Sequence, residues 1–344
     1  MIPYTIFHAI FHLTFLLFSI NKNGRKYLFI LIPLLIFIFS AIRFDVGNDF
    51  DTYRNHFLNS KFNTLEIGQN LLFWVSNKMG GFQTYIFLTS GLIILGYSKF
   101  INYFSKNIYI SYIIFITIGY FLLGSFNLIR QYVAISFFLM SIISLYKGNR
   151  FRFVLLNFIG GLFHMSGFLM IPLFFIGKKL KIKYFIILSL LIILNVDYLL
   201  SYVLTLLGKE FYLLEDWSSV MNNQRNDLFL GIYFILCLIL ILAVNKYFSK
   251  TEIFKNLIIL SFFLIFSSSF LFPQIPNMFF FRINNFFLPF MLVLSPLMIN
   301  FFTKNNRPFI NFIIIFTCYC YLCFVLAIKG EEIKLIPFKI FKFY

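Results

Sequence analysis

The sequence predicts an all-α, polytopic integral membrane protein, and three observations carry that expectation. Of its 344 residues, 60% are hydrophobic and 22% aromatic. Only 12% are charged, roughly half the share usual in soluble domains. Apolar runs long enough to cross a bilayer recur along the chain between short polar loops. A mean hydropathy of +0.88 points the same way. The 54 phenylalanines are a compositional bias and carry no functional weight.

About twelve transmembrane or re-entrant helices are expected, near 3–20, 27–42, 82–101, 108–124, 130–146, 153–164, 165–177, 184–206, 228–245, 257–272, 286–302 and 309–328. The start, Met1-Ile2-Pro3-Tyr4, lacks a basic n-region and a small-residue cleavage site, so the first segment is read as a retained span. No internal repeat or soluble domain stands out, and residues 1–344 are read as one membrane domain.

A net charge of +17 would suggest nucleic acid in a soluble chain. In a membrane protein the excess of Lys and Arg in cytoplasmic loops explains it, and no nucleic-acid partner is expected. Loops 21–26, 99–107, 147–152, 178–183, 245–256 and 303–308 hold 17 Lys/Arg and one acid, Glu252. The alternate loops and the tail hold the other 12 Lys/Arg and 10 acids. That asymmetry puts the first set in the cytoplasm and both termini outside. The larger outer loops are then 43–81 and 207–227.

Residues 153–177 lie between two basic loops and resist a single crossing. A re-entrant hairpin, or two short helices meeting near His164, keeps both loops inside, although 12 residues reach only about 18 Å. Residues 69–81 are too short and polar to span, and read as an interfacial helix with Trp74 at headgroup level and a Gly80-Gly81 end. Cys237, Cys318, Cys320 and Cys323 lie in apolar runs and read as small buried hydrophobes. No metal site is expected.

The stretch from Ala41 to Phe57 is the richest in chemistry, with Arg43, Asp45, Gly47, Asn48, Asp49, Asp51, Tyr53, Arg54 and His56. Ionisable groups at the mouth of a membrane bundle are costly and seldom idle. A calcium loop is excluded, because Phe50 stands where Gly is needed and His56 where Glu is needed. Asp49 or Asp51 could also serve as the cap of a short helix starting near Thr52.

Arg130, beside Gln131, stands at the outer end of a span on the side poor in basic residues. It could snorkel to lipid headgroups, or offer a fixed guanidinium to a phosphate or pyrophosphate. His164, among Gly160, Gly161 and Gly167, is either a structural histidine or a proton carrier. Arg282 is a third outer-face arginine, and three guanidiniums from distant segments would suit a polyanionic ligand. A Walker A loop, a Gly-x-Ser-x-Gly elbow, a His-Glu-x-x-His helix and an intramembrane acid relay are all absent, so no cofactor is expected.

With these residues placed, the chain resembles the EpsG family, Wzy-type polymerases of bacterial surface polysaccharides. The likeness rests on Arg43-Phe44-Asp45-Val46-Gly47-Asn48-Asp49-Phe50-Asp51-Thr52-Tyr53, then Asn127-Leu128-Ile129-Arg130-Gln131, then Phe163-His164-Met165-Ser166, with Arg282 as a late arginine. Asn48 and Phe50 depart from the family's usual Thr and Tyr without removing an ionisable group.

The resemblance implies glycosyl transfer at the outer face of the bacterial cytoplasmic membrane, on a bundle similar to GT-C-type glycosyltransferases. The growing glycan would pass from undecaprenyl pyrophosphate to another lipid-linked repeat unit, making O-antigen, capsule or exopolysaccharide. Implied roles are Arg43, Arg130 and Arg282 on the pyrophosphate, Asp49 or else His164 as base, and Gly47, Tyr53 and Gln131 lining the substrate site. Implied partners are membrane lipid, a chain-length regulator and a flippase. A flippase for the same lipid-linked oligosaccharide, or an O-antigen ligase, is the alternative. Polar groups gathered at span ends favour the enzyme over the flippase, and an outer loop 207–227 of modest length disfavours the ligase.

Overall fold

A computed structural model describes residues 2–20, 22–59, 66–175, 282 and 285–341. The expected loop 207–227, the expected spans 184–206, 228–245 and 257–272, and Cys237 lie outside the described residues. The chain divides into two compact units, Met1–Ile171 with Ser295–Tyr344, and Pro172–Leu294.

In the first unit, α1 (Ile2–Ile20), α2 (Lys22–Ala41), α3 (Asp49–Leu58), α4 (Ile67–Met79), α5 (Phe82–Phe104), α6 (Ile108–Thr117), α7 (Gly124–Asn127), α8 (Ile129–Tyr146) and α9 (Arg150–Phe163) follow in order. A 3-10 stretch covers Met165–Phe175. Late in the chain come α10 (Met291–Met298) and α11 (Arg307–Lys329). Among the described residues five helical stretches are long and apolar enough to cross a membrane: α1, Gly24–Ala41, α5, α8 and α11. Helices α1 and α11 leave most of their apolar surface uncovered by protein, as lipid-facing spans do.

α8 is the hub, packing on α5 and α9. Close approach to α5 depends on Gly96, where a Cβ would lie 2.4 Å from that of Ser136. Asparagines start the helices at the opposite end: Asn107 Oδ1 accepts the Ile110 N–H at 3.3 Å, and Asn149 Oδ1 the Arg152 N–H at 2.9 Å. The connections from α5 to α6 and from α8 to α9 share that end, where the Tyr103 and Tyr146 rings lie 5.8 Å apart and Lys147 Nζ sits 5.1 Å from the Tyr103 ring centroid.

Several expected elements take a different form. The expected span 108–124 is helical only from Ile108 to Thr117, after which the chain turns through Ile118–Leu123 into α7. That non-helical backbone is tolerated because Phe121, Leu122, Leu123 and Phe126 are buried in protein. The expected span 286–302 is broken into 3-10 turns at Leu288–Phe290 and Ile299–Phe301 around α10, with Pro289 and Pro296 removing backbone donors. Within 153–177, helix α9 ends at Phe163 and His164 is extended. Cys318 is buried as expected, but Cys320 and Cys323 are exposed free thiols on α11. Their helix packs through the face that carries Cys318, Leu322, Val325 and Leu326. Trp74 is half exposed on α4, with Lys78 Nζ 3.9 Å from its ring centroid.

A hydrogen-bonded chain ties α1, α6 and α11 together without a charge. His12 Nδ1 meets the Tyr109 hydroxyl at 2.8 Å and its Nε2 the Tyr319 hydroxyl at 2.6 Å, which also lies 3.0 Å from His8 Nδ1. In hydrocarbon such pairing satisfies groups that would otherwise lack partners.

The tail after α11 folds back over the end of α2. Strand β1 (Arg43–Phe44) pairs antiparallel with β2 (Lys339–Ile340). The Phe341 N–H donates to the Ile42 carbonyl at 2.9 Å, and Tyr4 donates to the Leu335 carbonyl at 3.1 Å. Lys334 pairs with Asp51 and Lys339 with Asp45. Leu335 is wholly buried, and Phe338 stacks on Phe39 at 4.6 Å. Leu335→Ala is expected to cost about 2–5 kcal/mol, the range for a buried leucine truncation. Lys339→Ala removes only an exposed pair and should cost far less. Thermal unfolding of both variants in detergent checks the difference.

Candidate active site

Beneath the polar island lies Arg43, which is only 1% exposed. Its Nη1 donates to the Ser40 carbonyl at 2.7 Å, to Ser40 Oγ at 2.9 Å and to Ser90 Oγ at 2.9 Å. Its guanidinium lies 4.5 Å from the Phe126 ring centroid, a cation–π contact. Nε and Nη2 have no hydrogen-bond partner among the described residues. Burial pushes this guanidinium down to about 10, against the opposing pull of Tyr85 and Tyr4.

The loop above it is pinned at both faces. Gly47 has φ +97°, and a Cβ there would lie 2.3 Å from the Phe126 carbonyl oxygen. The Gly47 N–H donates to the Lys334 carbonyl at 3.0 Å, and the Asn48 N–H to Asn127 Oδ1 at 2.7 Å. Helix α3 then starts at Asp49, three residues before the expected start near Thr52. Asp49 and Asp51 fall in its first turn, where acids suit the helix dipole, and Asn48 makes no side-chain cap.

α3 presents Phe50, Tyr53 and Phe57 to an apolar cluster with Phe73, Tyr85, Ile86 and Ile129. That spacing puts one side of α3 against α4, α5 and the start of α8. Tyr53 and Asp49 are four apart and share a face. Burial raises the Tyr53 phenol, the Asp49 charge raises it further, and Arg130 opposes both.

Arg130 occupies the first turn of α8. Its Nε donates to the Tyr53 hydroxyl at 3.0 Å, and its Nη1 makes an ion pair with Glu66. Neither bond uses Nη2. The two ionic side chains keep 27% and 20% of their surface exposed, so a polar ligand can reach them. A cation in the first turn of a helix opposes the dipole, and an anion beside it answers both charges.

Glu66 escaped the sequence reading. The signal was there: it is the one acid between Asp51 and Asp197, and so the one carboxylate in that interval able to answer an outer-face cation.

His164 caps the end of α9, with Nδ1 2.5 Å from Ser166 Oγ and accepting from the Ser166 N–H at 3.4 Å. Acceptance at Nδ1 puts the neutral ring's proton on Nε2. The start of α4 touches this turn: a Cβ at Gly68 would lie 3.0 Å from the Leu162 carbonyl oxygen and from the Phe163 ring. The structure thus joins Tyr53, Glu66 and Arg130 directly, with Asp49 one helical turn from Tyr53 and His164 on the turn that backs α4. Gln131 is buried at the start of α8. Arg282 is helical and partly exposed in the second unit. Among the described residues no three His, Cys, Asp or Glu side chains gather as a metal site.

Fold and site define a helical membrane protein whose ionisable groups cluster where the loop 43–48, α3 and the starts of α4 and α8 meet. The chain belongs to the EpsG family, whose profile matches residues 26–340. Membership gives it a polysaccharide-polymerase-like role in exopolysaccharide biosynthesis and associates it with glycosyltransferase-like activity. No curated protein and no solved structure shows significant similarity to it.

Gly47→Ala should unseat the loop, since the left-handed backbone alone costs about 1–2 kcal/mol and the carbonyl of Phe126 blocks the methyl group. The expected outcome is a lower melting temperature in detergent together with loss of polymer from cells that carry the variant.

Proposed function

We propose that the protein polymerises lipid-linked oligosaccharide repeat units at the outer face of the cytoplasmic membrane. The growing glycan leaves undecaprenyl pyrophosphate and joins a sugar hydroxyl of another lipid-linked unit. The observation that carries this reading is the line Asp49, Tyr53, Arg130 and Glu66, which pairs an accessible guanidinium with nearby carboxylates.

Glycosyl transfer of this kind breaks the bond from the anomeric carbon to the pyrophosphate oxygen. It forms a bond from that carbon to the acceptor oxygen. Negative charge grows on the departing pyrophosphate, and a guanidinium already aimed at it lowers the barrier. Arg130 is suited to that work: it combines a fixed charge, planar donors and the positive end of α8. Arg282 is the candidate for a second cation. Arg43, buried and bonded to Ser40 and Ser90, supports the loop from below and contributes its charge at a distance.

The acceptor hydroxyl must lose a proton. Asp49, in the first turn of α3 and one helical turn from Tyr53, is the first candidate base. His164, with Nδ1 an acceptor and its proton on Nε2, would need ring reorientation or loss of the Ser166 bond to act as base through Nδ1. That ranks it second. Tyr53, with its ring buried in the aromatic cluster and its hydroxyl accepting from Arg130, serves by holding that guanidinium in place.

Arg130→Ala and His164→Ala are each expected to leave the protein inserted and abundant while surface glycan shortens to a single repeat unit. A gel of surface polysaccharide, with immunoblotting of the membrane fraction, checks this. Long chains in both variants would refute the site, and repeat units trapped on the cytoplasmic leaflet would point to transport instead.

A further inference from the structure

Glu66 does not do what an acid at its position ordinarily does. It holds the N-cap position of α4, with φ −63° and ψ 149°, yet its side chain makes no capping hydrogen bond. The carboxylate turns instead to Arg130 Nη1. The helix gives up one capping bond and the arginine gains a counter-ion.

We infer that Glu66 is a positioning residue whose carboxylate occupies the place on Arg130 that the donor's pyrophosphate takes. This rests on the reading of Arg130 given above. The Glu66 carboxylate and the Tyr53 hydroxyl fix the guanidinium from two sides, through Nη1 and Nε. A pyrophosphate carries more charge than a carboxylate and presents several oxygens, so it can engage Nη1 and Nη2 together. It also gains the dipole of α8, at whose first turn Arg130 stands. Exchange therefore needs no movement of the arginine, because Tyr53 keeps its hold on Nε. Only Glu66 has to let go, and it sits on extended backbone just outside the first turn of α4.

Such an arrangement keeps the guanidinium aimed and charge-balanced between turnovers. It also helps the spent pyrophosphate leave, since the returning carboxylate competes for the same donors. Glu66 thus weakens anion binding and speeds release.

The test uses the purified full-length protein in nanodiscs, with inorganic pyrophosphate as the probe. Glu66→Gln, close in shape and neutral, should bind pyrophosphate about fivefold more tightly than the natural protein, the size of an ion pair of moderate exposure. The gain should vanish in the double variant Glu66→Gln with Arg130→Ala. In polymerisation the single variant Glu66→Gln should show a lower KM for the lipid-linked donor and a lower kcat, a split that loss of fold would not produce. Glu66→Asp, which keeps the charge one methylene further back, should fall between the two and serves if the Gln variant does not fold. Equal or weaker pyrophosphate binding by Glu66→Gln, with binding still dependent on Arg130, overturns the role of Glu66 alone. Binding that is indifferent to Arg130→Ala overturns both this inference and the assignment of Arg130.

Discussion

The charge of Arg130 is the constraint to which the described end of the bundle answers. A guanidinium in the first turn of α8 meets the positive end of the helix dipole and is partly removed from water. It needs an anion and a fixed polar neighbour, and neither is local in sequence. Glu66 comes from the start of α4 and Tyr53 from the middle of α3. What carries them there is apolar. Phe50, Tyr53 and Phe57 on α3 pack against Phe73 of α4, Tyr85 of α5 and Ile129 of α8, with edge-to-face rings such as Phe73 on Tyr85 at 4.8 Å. The aromatic cluster is the mortar that holds the ionic site in register.

A second set of interactions ties the tail to the polar loop. The tail lays Lys334 on Asp51 and Lys339 on Asp45, and the hydrogen bond to Asp51, helped by its charge, raises the Lys334 ammonium above its ordinary value. These are exposed pairs and contribute little stability of their own. Their importance lies in placement: they tie the tail to both ends of the segment from Asp45 to Asp51, and Asp49 between them acts on Tyr53. Burial of Leu335 and the pairing of β1 with β2 keep the lysines where they are.

Much of the fold was legible in the sequence because the bilayer imposes a length rule. The stretches expected at 3–20, 82–101, 130–146 and 309–328 reappear as Ile2–Ile20, Phe82–Phe104, Ile129–Tyr146 and Arg307–Lys329. Composition could not mark the turn after Thr117, because the residues on both sides of it are equally apolar and only their packing tells them apart. Arg130 was legible as a cation out of place. Glu66 was legible only as a lone acid and not as its partner, because the two lie 64 residues apart and nothing in the spacing of either residue encodes the pairing. The sequence placed the tail only as a terminus on the outer side. Its role depends on antiparallel pairing with a segment almost 300 residues earlier, which no local pattern announces.

Arg43 and Arg130 looked alike in sequence, each a basic residue at the outer end of an apolar run, and the structure separates them by their surroundings. An arginine that stays accessible can exchange one anion for another, and Arg130, held by a carboxylate and a phenol, is built for exchange. An arginine sealed among serines and a phenylalanine ring can be met only by what the protein itself supplies. Arg43 keeps its charge at a desolvation cost that lowers its proton affinity, and Nη1 alone anchors three acceptors at the top of α2 and on α5. Its backbone carbonyl, with that of Ala41, accepts from Gln83 Nε2, so the junction between span and loop is tied to α5 twice. A cation in that place stiffens the base of the island and biases the potential above it. In the function proposed, direct contact with a departing anion falls to Arg130, the arginine that keeps part of its side chain exposed.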